Sequence, residues 1–221
     1  MVRNAACSLA AALLVSVFAA ACGGGDTKTV TRTVAGPTHP PAAVVTGDGT
    51  IDQILDAALR SDDIALAGLT GYERVACKQG SAEQAGAAPP CRDNENDGAS
   101  VEVLATSSMC ANGWVRPEQV PDAYRFNLGP DKPELVEVIK PRLGPTTFGG
   151  GFGSTVAVVL RSRTGTDGQP GGVALHLNNG RIAWIEASCL TLAELTAPDR
   201  VDAVIFDPKN PAASSSPTAS P

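Results

Sequence analysis

The chain has 221 residues, of which 43% are hydrophobic, 18% are charged and 4% are aromatic, and its formal net charge is −6. This length suits one domain with tails. The acidic charge argues against a nucleic-acid-binding protein because phosphate contacts require a basic surface, and the single long apolar run excludes a protein with several membrane-spanning helices.

The first 21 residues predict an export signal. Arg3 gives the start a positive charge, an apolar stretch runs from Ala5 to Phe18, and small residues at 19–21 precede Cys22. The apolar stretch is too short to span a bilayer stably, and its charge and small residues are typical of a cleaved signal peptide. The mature chain is therefore expected outside the cytoplasm.

Residues 18–22, Phe-Ala-Ala-Ala-Cys, resemble the lipobox of bacterial lipoproteins, with Ala19 where leucine is usual. The resemblance implies cleavage between Ala21 and Cys22, a diacylglyceryl group on the Cys22 sulfur, and N-acylation, for example with palmitate. Each buried methylene contributes about 0.8 kcal/mol, so two or three chains hold a protein on the cell membrane durably. The alternative is an ordinary secreted protein in which Cys22 has no role.

Flexible segments are predicted on both sides of the domain. Residues 22–48 begin with the lipidated cysteine and continue as a tether that is rich in Gly, Thr and Pro. A coil of this length spans roughly 25–30 Å, although the Thr-Val alternation of 27–34 could also form an edge strand. Residues 208–221 are rich in Ser and Pro and predict a disordered tail. The folded domain is then 49–207.

Two helices are predicted at the start of this domain. Thr50 followed by Gln53 matches a capping box. Behind it, apolar residues repeat at helical spacing, as expected of a helix that packs on a sheet. These residues are Ile51, Ile54, Leu55, Ala58 and Leu59. Asp62 and Asp63 can cap a second short helix over 64–69.

Strands are predicted from residue 101 onwards. Residues 101–103, 135–139 and 155–162 have strand character, and Asn179-Gly180 is a favoured two-residue turn between strands 173–178 and 181–186. In regular register, alternate residues of this hairpin share the core face, and His176 lies on the opposite, mixed face. The predicted core-face residues are Val173, Leu175, Leu177, Ile182 and Trp184, whereas Ile185 is placed with His176.

Helices followed by strands predict a single α+β domain, in which an N-terminal helix or helix pair packs on an antiparallel, curved sheet. This element order resembles the cystatin-like or NTF2-like arrangement. Within 51–187, several positions also resemble an uncharacterised domain of exported bacterial proteins, which implies the fold and the compartment but no functional residue. These positions are 61–69, Cys77, 89–91, Glu95, Gly98, 101–103, 172–175 and 180–182.

The cysteines predict disulfides. Once Cys7 is removed and Cys22 is acylated, four remain: Cys77, Cys91, Cys110 and Cys189. An even number in an exported chain predicts two bridges with three possible pairings. We favour Cys77–Cys91, which closes a long polar segment, and Cys110–Cys189, which ties a loop to the end of the hairpin. Structural zinc is disfavoured because no Cys-x-x-Cys occurs.

One acidic segment is a weak calcium candidate. Asp93, Glu95 and Asp97 supply oxygens at positions 1, 3 and 5 of a calcium loop, with Gly98 at position 6. Position 12 is Leu104, where a bidentate glutamate is needed. A solvated acidic turn is the alternative. No other metal and no cofactor are predicted.

Other candidate chemistry is sparse. The glycine-rich segment 148–154 precedes a strand and lacks a lysine, so a loop is favoured over a phosphate site. His176 is the only histidine of the domain, and without a Gly-x-Ser-x-Gly elbow it is interpreted as a polar residue of the sheet face. Trp114 is expected in a loop, as a surface anchor or as a plug of the domain.

The sequence therefore favours a non-catalytic, lipid-anchored envelope protein that binds a small ligand or an envelope protein. One alternative is a structural or assembly protein of the envelope without a ligand pocket. The other is an enzyme of unrecognised type, in which two carboxylates such as Glu102 and Glu137, or His176 and a hydroxyl, meet in one cleft.

Overall fold

The first helix, α1, begins at an aspartate. In this computed structural model, which describes residues 44–81, 88–108, 111–142, 153–164, 170–187 and 191–211, α1 spans Gly49–Leu59. The Asp48 carboxylate accepts hydrogen bonds from the N–H groups of Thr50 and Ile51 at 2.9 and 3.2 Å. The predicted cap at Thr50 is thus wrong by two residues, because a carboxylate satisfies two orphan amides and suits the positive end of the helix.

Three further helices follow. α2 spans Asp63–Gly68 and is capped by Asp62, as predicted. α3 spans Val120–Leu128 after a short 3-10 turn at Pro117–Gln119, and α4 spans Leu192–Leu195. Neither α3 nor α4 was predicted from the sequence pattern.

In the described part of the chain, eight strands form one sheet. They are β1 (Glu73–Ala76), β2 (Ser100–Ser108), β3 (Ala111–Val115), β4 (Glu134–Pro141), β5 (Val156–Thr164), β6 (Pro170–Asn178), β7 (Arg181–Ala187) and β8 (Val201–Phe206). Their order is β1-β2-β7-β6-β5-β4-β8, and β3 pairs with β2. The fold is therefore α+β with a mostly antiparallel sheet. The predicted antiparallel sheet is confirmed for most strand pairs and is wrong for one, since β2 and β7 pair in parallel.

Apolar residues cluster on both faces of the sheet. The larger cluster joins α1, α2 and α3 to strand residues such as Leu175 and Ile185. The smaller cluster lies on the other face and joins Ala157 and Ala174 to Leu195 of α4. Both faces of the central strands β5, β6 and β7 are consequently buried.

The β6–β7 hairpin has the predicted turn and an unpredicted bulge. Asn179 and Gly180 have φ of 49° and 72°, as this turn requires. Leu177 pairs with Ile182, but His176 pairs with Trp184, so Ala183 is one extra residue on β7. The bulge moves Trp184 to the face of His176 and Ile185 to the core face, and both predicted placements are wrong for this reason.

The described residues belong to one compact unit. Before α1, Thr46 donates two hydrogen bonds of 2.7 Å, from its N–H and its hydroxyl, to the carboxylate of Asp52. Within the part of the chain that the structure describes, no helix is both long and apolar enough to cross a membrane. The predicted signal peptide, the predicted tether up to residue 43 and the predicted tail from residue 212 lie outside the described residues.

Candidate functional site

A groove lies between helix α3 and the β2–β3 hairpin. Its cavity volume is about 290 Å³, and its walls carry two aromatic side chains, Trp114 and Phe126, together with polar groups. The polar lining residues are Thr106, Gln119, Asp122 and Asn127. Trp114 belongs to strand β3 and is half-buried, so the expectation that it lies in a loop is wrong.

Helix α3 forms one wall of this groove because one of its faces is anchored in the core. Val120, Tyr124 and Leu128 recur every four residues and are buried. The Tyr124 hydroxyl lies 2.7 Å from the Thr70 hydroxyl, which donates to the carbonyl of Leu66 at 2.9 Å. Burial raises the pKa of Tyr124. The phenol therefore stays neutral and ties α3 to the end of α2.

Two buried polar atoms in the groove wall have no hydrogen-bond partner. Asn127 is 2% exposed, and its Nδ2 donates to the carbonyl of Ala123 at 2.8 Å while its Oδ1 accepts nothing. Thr106 is 6% exposed, and its Oγ1 is likewise unpaired. An unsatisfied buried polar atom costs about 1–3 kcal/mol, so the groove holds hydrogen-bonding capacity that the protein itself does not use.

A second polar group lies on the opposite face of the sheet, and we call it the His176 network. His176 Nε2 is 3.0 Å from Glu186 Oε2, and His176 Nδ1 is 3.2 Å from Ser154 Oγ. Arg200 donates to Glu186 Oε1 at 2.7 Å. The imidazole stacks on Trp184 with 4.1 Å between ring centroids.

Burial determines the charges in the His176 network. Burial lowers the pKa of His176, and the Glu186 carboxylate only partly offsets this, so the imidazole is neutral at pH 7. Burial acts to raise the pKa of Glu186, but the hydrogen bonds from His176 and Arg200 and the positive charge of Arg200 outweigh it and lower that pKa. Glu186 is therefore ionised, and Arg200 compensates its charge.

The bulge at Ala183 creates this network. In a regular hairpin, Glu186 would lie on the face of Leu175, away from His176. The extra residue puts Glu186 and Trp184 on the face of His176 instead. The prediction that His176 lies on the face opposite Leu175 is confirmed. The side chain is also buried, in contact with Ser154, Trp184 and Glu186.

The acidic segment 93–97 is engaged within the protein. Glu95 accepts from the N–H of Arg92 at 2.9 Å and from the Arg116 guanidinium at 2.7 and 3.2 Å, and these contacts lower its pKa. Asp97 accepts from the N–H of Gln79 at 2.7 Å, while Asp93 is exposed. These contacts within the protein favour the acidic-turn interpretation. Among the described residues, no three potential metal-ligating side chains come together.

The remaining predicted residues are placed as follows. Cys77 and Cys91 form a disulfide, as favoured from the sequence. Cys22, Cys110 and Cys189 lie outside the described residues, as does most of the glycine-rich segment 148–154. The carboxylates of Glu102 and Glu137 are not brought together, because they lie on strands β2 and β4, which three other strands separate.

Comparison of the chain with models of protein families, with curated proteins and with solved structures yields no match.

Proposed function

We propose that this chain is a lipid-anchored, extracytoplasmic envelope protein whose domain binds a small ligand in the groove between α3 and the β2–β3 hairpin. The pair of unpartnered buried atoms, Thr106 Oγ1 and Asn127 Oδ1, carries the proposal. Both atoms are enclosed in the unliganded protein, so a ligand reaches them only when these side chains turn towards the groove. A ligand that then donates hydrogen bonds to them recovers the free energy that they cost in the unliganded protein. The lipidated Cys22 and the tether would hold this groove outside the membrane.

The lining indicates the chemistry of the ligand. Trp114 and Phe126 offer apolar ring surface, whereas Asn127 Oδ1 and the Asp122 carboxylate accept hydrogen bonds. A volume of about 290 Å³ suits one ring rather than a long chain. A pyranose sugar, which has an apolar ring face and several hydroxyl donors, meets these requirements.

The proposed architecture supports a ligand site in the groove between α3 and the β2–β3 hairpin. We propose that α1 and α2 pack across a curved sheet in the cystatin-like or NTF2-like manner, with α3 completing the helical layer. A groove at the margin of such a layer has one wall from a helix and one from strands. The lining residues fit this description because most of them belong to α3, β2 and β3. Ligand sites favour such junctions between elements.

Thr106→Val should separate binding from folding. The substitution keeps the shape of the side chain and removes the unpaired hydroxyl, so we expect the free energy of unfolding to rise by about 1 kcal/mol. Affinity for a pyranose should fall at least about tenfold, since a bond to the ligand is lost. Isothermal titration with glucose, mannose and N-acetylglucosamine measures the affinity, and urea unfolding measures the stability.

Ser162→Ala is the matched control. Ser162 Oγ is also buried and unpaired, but it lies on β5, outside the groove lining. Its removal should stabilise the protein and leave sugar affinity unchanged. The proposal fails if no sugar binds the wild-type protein, or if Thr106→Val and Ser162→Ala alter binding equally. Failure of all sugars would favour the alternative of an envelope scaffold that acts through protein contacts.

A further inference from the structure

The His176 network forms a chemical arrangement that the groove does not use. Its four members are Ser154 before β5, His176 on β6, Glu186 on β7 and Arg200 before β8. None of them lines the groove. Three are linked in series through the imidazole, at 3.2 Å from Ser154 and 3.0 Å from Glu186.

The hydrogen bonds select one tautomer of His176. An ionised carboxylate can only accept, so Nε2 must carry the proton that it donates to Glu186 Oε2. The Nδ1 lone pair then faces the Ser154 hydroxyl. Ser154 has one other acceptor at the same distance, the carbonyl of Val156 at 3.2 Å. The imidazole is thereby held with its basic nitrogen towards a hydroxyl.

Ser154 and His176 differ in their exposure to solvent. Ser154 is half-buried between the exposed residues Gly153 and Thr155, whereas His176 is 2% exposed and Glu186 is 6% exposed. A substrate can therefore reach Ser154 from solvent, while the His176 imidazole is enclosed within the protein. Arg200 holds Glu186 in place through the other carboxylate oxygen.

We propose that Ser154 is a nucleophile towards carboxylic esters, with His176 as its general base and Glu186 as the positioning residue of that base. Oγ bonds to the carbonyl carbon while its proton moves to Nδ1, and the bond from that carbon to the leaving oxygen then breaks as this oxygen takes the proton from Nδ1. Water hydrolyses the acyl-serine by the same proton route and releases the carboxylic acid and free Ser154. The two nitrogens have exchanged the roles that they have in the serine proteases, but the donor and acceptor logic is the same.

Labelling of the full mature chain with a fluorophosphonate tests this proposal. The probe forms an Oγ–P bond and releases fluoride, and peptide mass spectrometry locates the adduct. We expect the adduct on Ser154, its loss in Ser154→Ala, and no change in Ser100→Ala, which removes an exposed serine of β2. Hydrolysis of p-nitrophenyl acetate should follow the same order.

Glu186→Gln distinguishes a catalytic arrangement from a structural one. Glutamine keeps the volume and an acceptor for Nε2–H but removes the charge, so labelling should slow at least about 100-fold, the lower end of what a positioned general base contributes. Circular dichroism and the intact Cys77–Cys91 bridge report folding. In the wild-type protein, the labelling rate should fall as the pH is lowered, because protonation of Nδ1, which faces Ser154, removes its lone pair. The charged groups beside the imidazole are Glu186, at Nε2, and Arg200, which contacts Glu186.

Two results would overturn the proposal. One is a folded wild-type protein without an adduct on Ser154, and the other is equal labelling of the wild-type protein and a folded Glu186→Gln variant. Thr106→Val is expected to label normally because Thr106 lies in the groove. Loss of sugar binding and loss of labelling therefore report on two different proposals.

Discussion

Glu186→Leu is expected to lower the free energy of unfolding by about 3 kcal/mol at pH 7, as measured by urea unfolding. Leucine leaves the Nε2–H of His176 without its acceptor and Arg200 without its counter-ion on a buried face. Removal of one partner from a buried ion pair costs about 3–5 kcal/mol. We expect the lower end, because a quarter of the Arg200 side chain is exposed.

An exposed pair on the same sheet provides the matched control. Glu134 and Arg161 form a salt bridge at 3.3 Å, but their side chains are 71% and 46% exposed. Glu134→Leu should change stability by less than about 1 kcal/mol because solvent screens such pairs. Equal effects of the two substitutions would contradict the conclusion that burial gives the His176 network its stability.

The pH dependence of the Glu186→Leu effect follows from the pKa of Glu186. That pKa is lower in the folded protein than the ordinary value of 4.5. Its contribution is therefore complete above pH 4.5 and is lost as pH falls through the folded pKa. The stability difference between wild type and Glu186→Leu should be constant near neutrality and should shrink in acid. A difference that grows in acid would contradict the assignment of an ionised Glu186.

Loss of the Cys77–Cys91 disulfide is expected to cost about 3 kcal/mol. The bridge closes a segment with a sequence separation of 14 residues, for which the loss of loop entropy in the unfolded chain gives about this value. Cys77 is 2% exposed and packs with Val101 and Val103, so the double variant Cys77→Ala, Cys91→Ala avoids burying a new hydroxyl. Urea unfolding of this variant measures the cost.

The ion pair of Glu95 and Arg116 is the alternative source of stability for the segment that the disulfide closes. Arg116 also donates to the carbonyl of Pro90 at 3.0 Å, so it holds the same segment from outside the bridge. If this pair and not the disulfide stabilises the segment, the double variant should lose less than about 1 kcal/mol. The entropic account of the bridge would then be wrong.

The elements that could be predicted from the sequence are those whose signals are local. The turn at Asn179-Gly180 depends on two residues that tolerate positive φ, and the structure has it. The second helix depends on the Asp62 cap, and the structure has that as well. The disulfide between Cys77 and Cys91 could be favoured because it closes one polar segment.

The two candidate sites depend on features that are not local. The bulge at Ala183 puts Trp184 and Glu186 beside His176, and no glycine or other residue in the sequence of β7 marks such an insertion. Helix α3 was missed because Pro121 and several polar residues weaken its pattern, although its buried residues keep helical spacing. Leu195 of α4 packs against Ala174 on the face of His176, and sequence order could not place that helix there.

Export is the premise on which the proposed function depends. The Cys77–Cys91 disulfide fits it, because such bridges persist in oxidising compartments and are rare in the cytosol. Intact-mass measurement of the protein isolated from the membranes of its native cells tests this premise directly. We predict a chain that begins at Cys22, carries diacylglyceryl and N-acyl groups and contains the oxidised bridge. A chain that retains residues 1–21, or a soluble species with free thiols at Cys77 and Cys91, would contradict it.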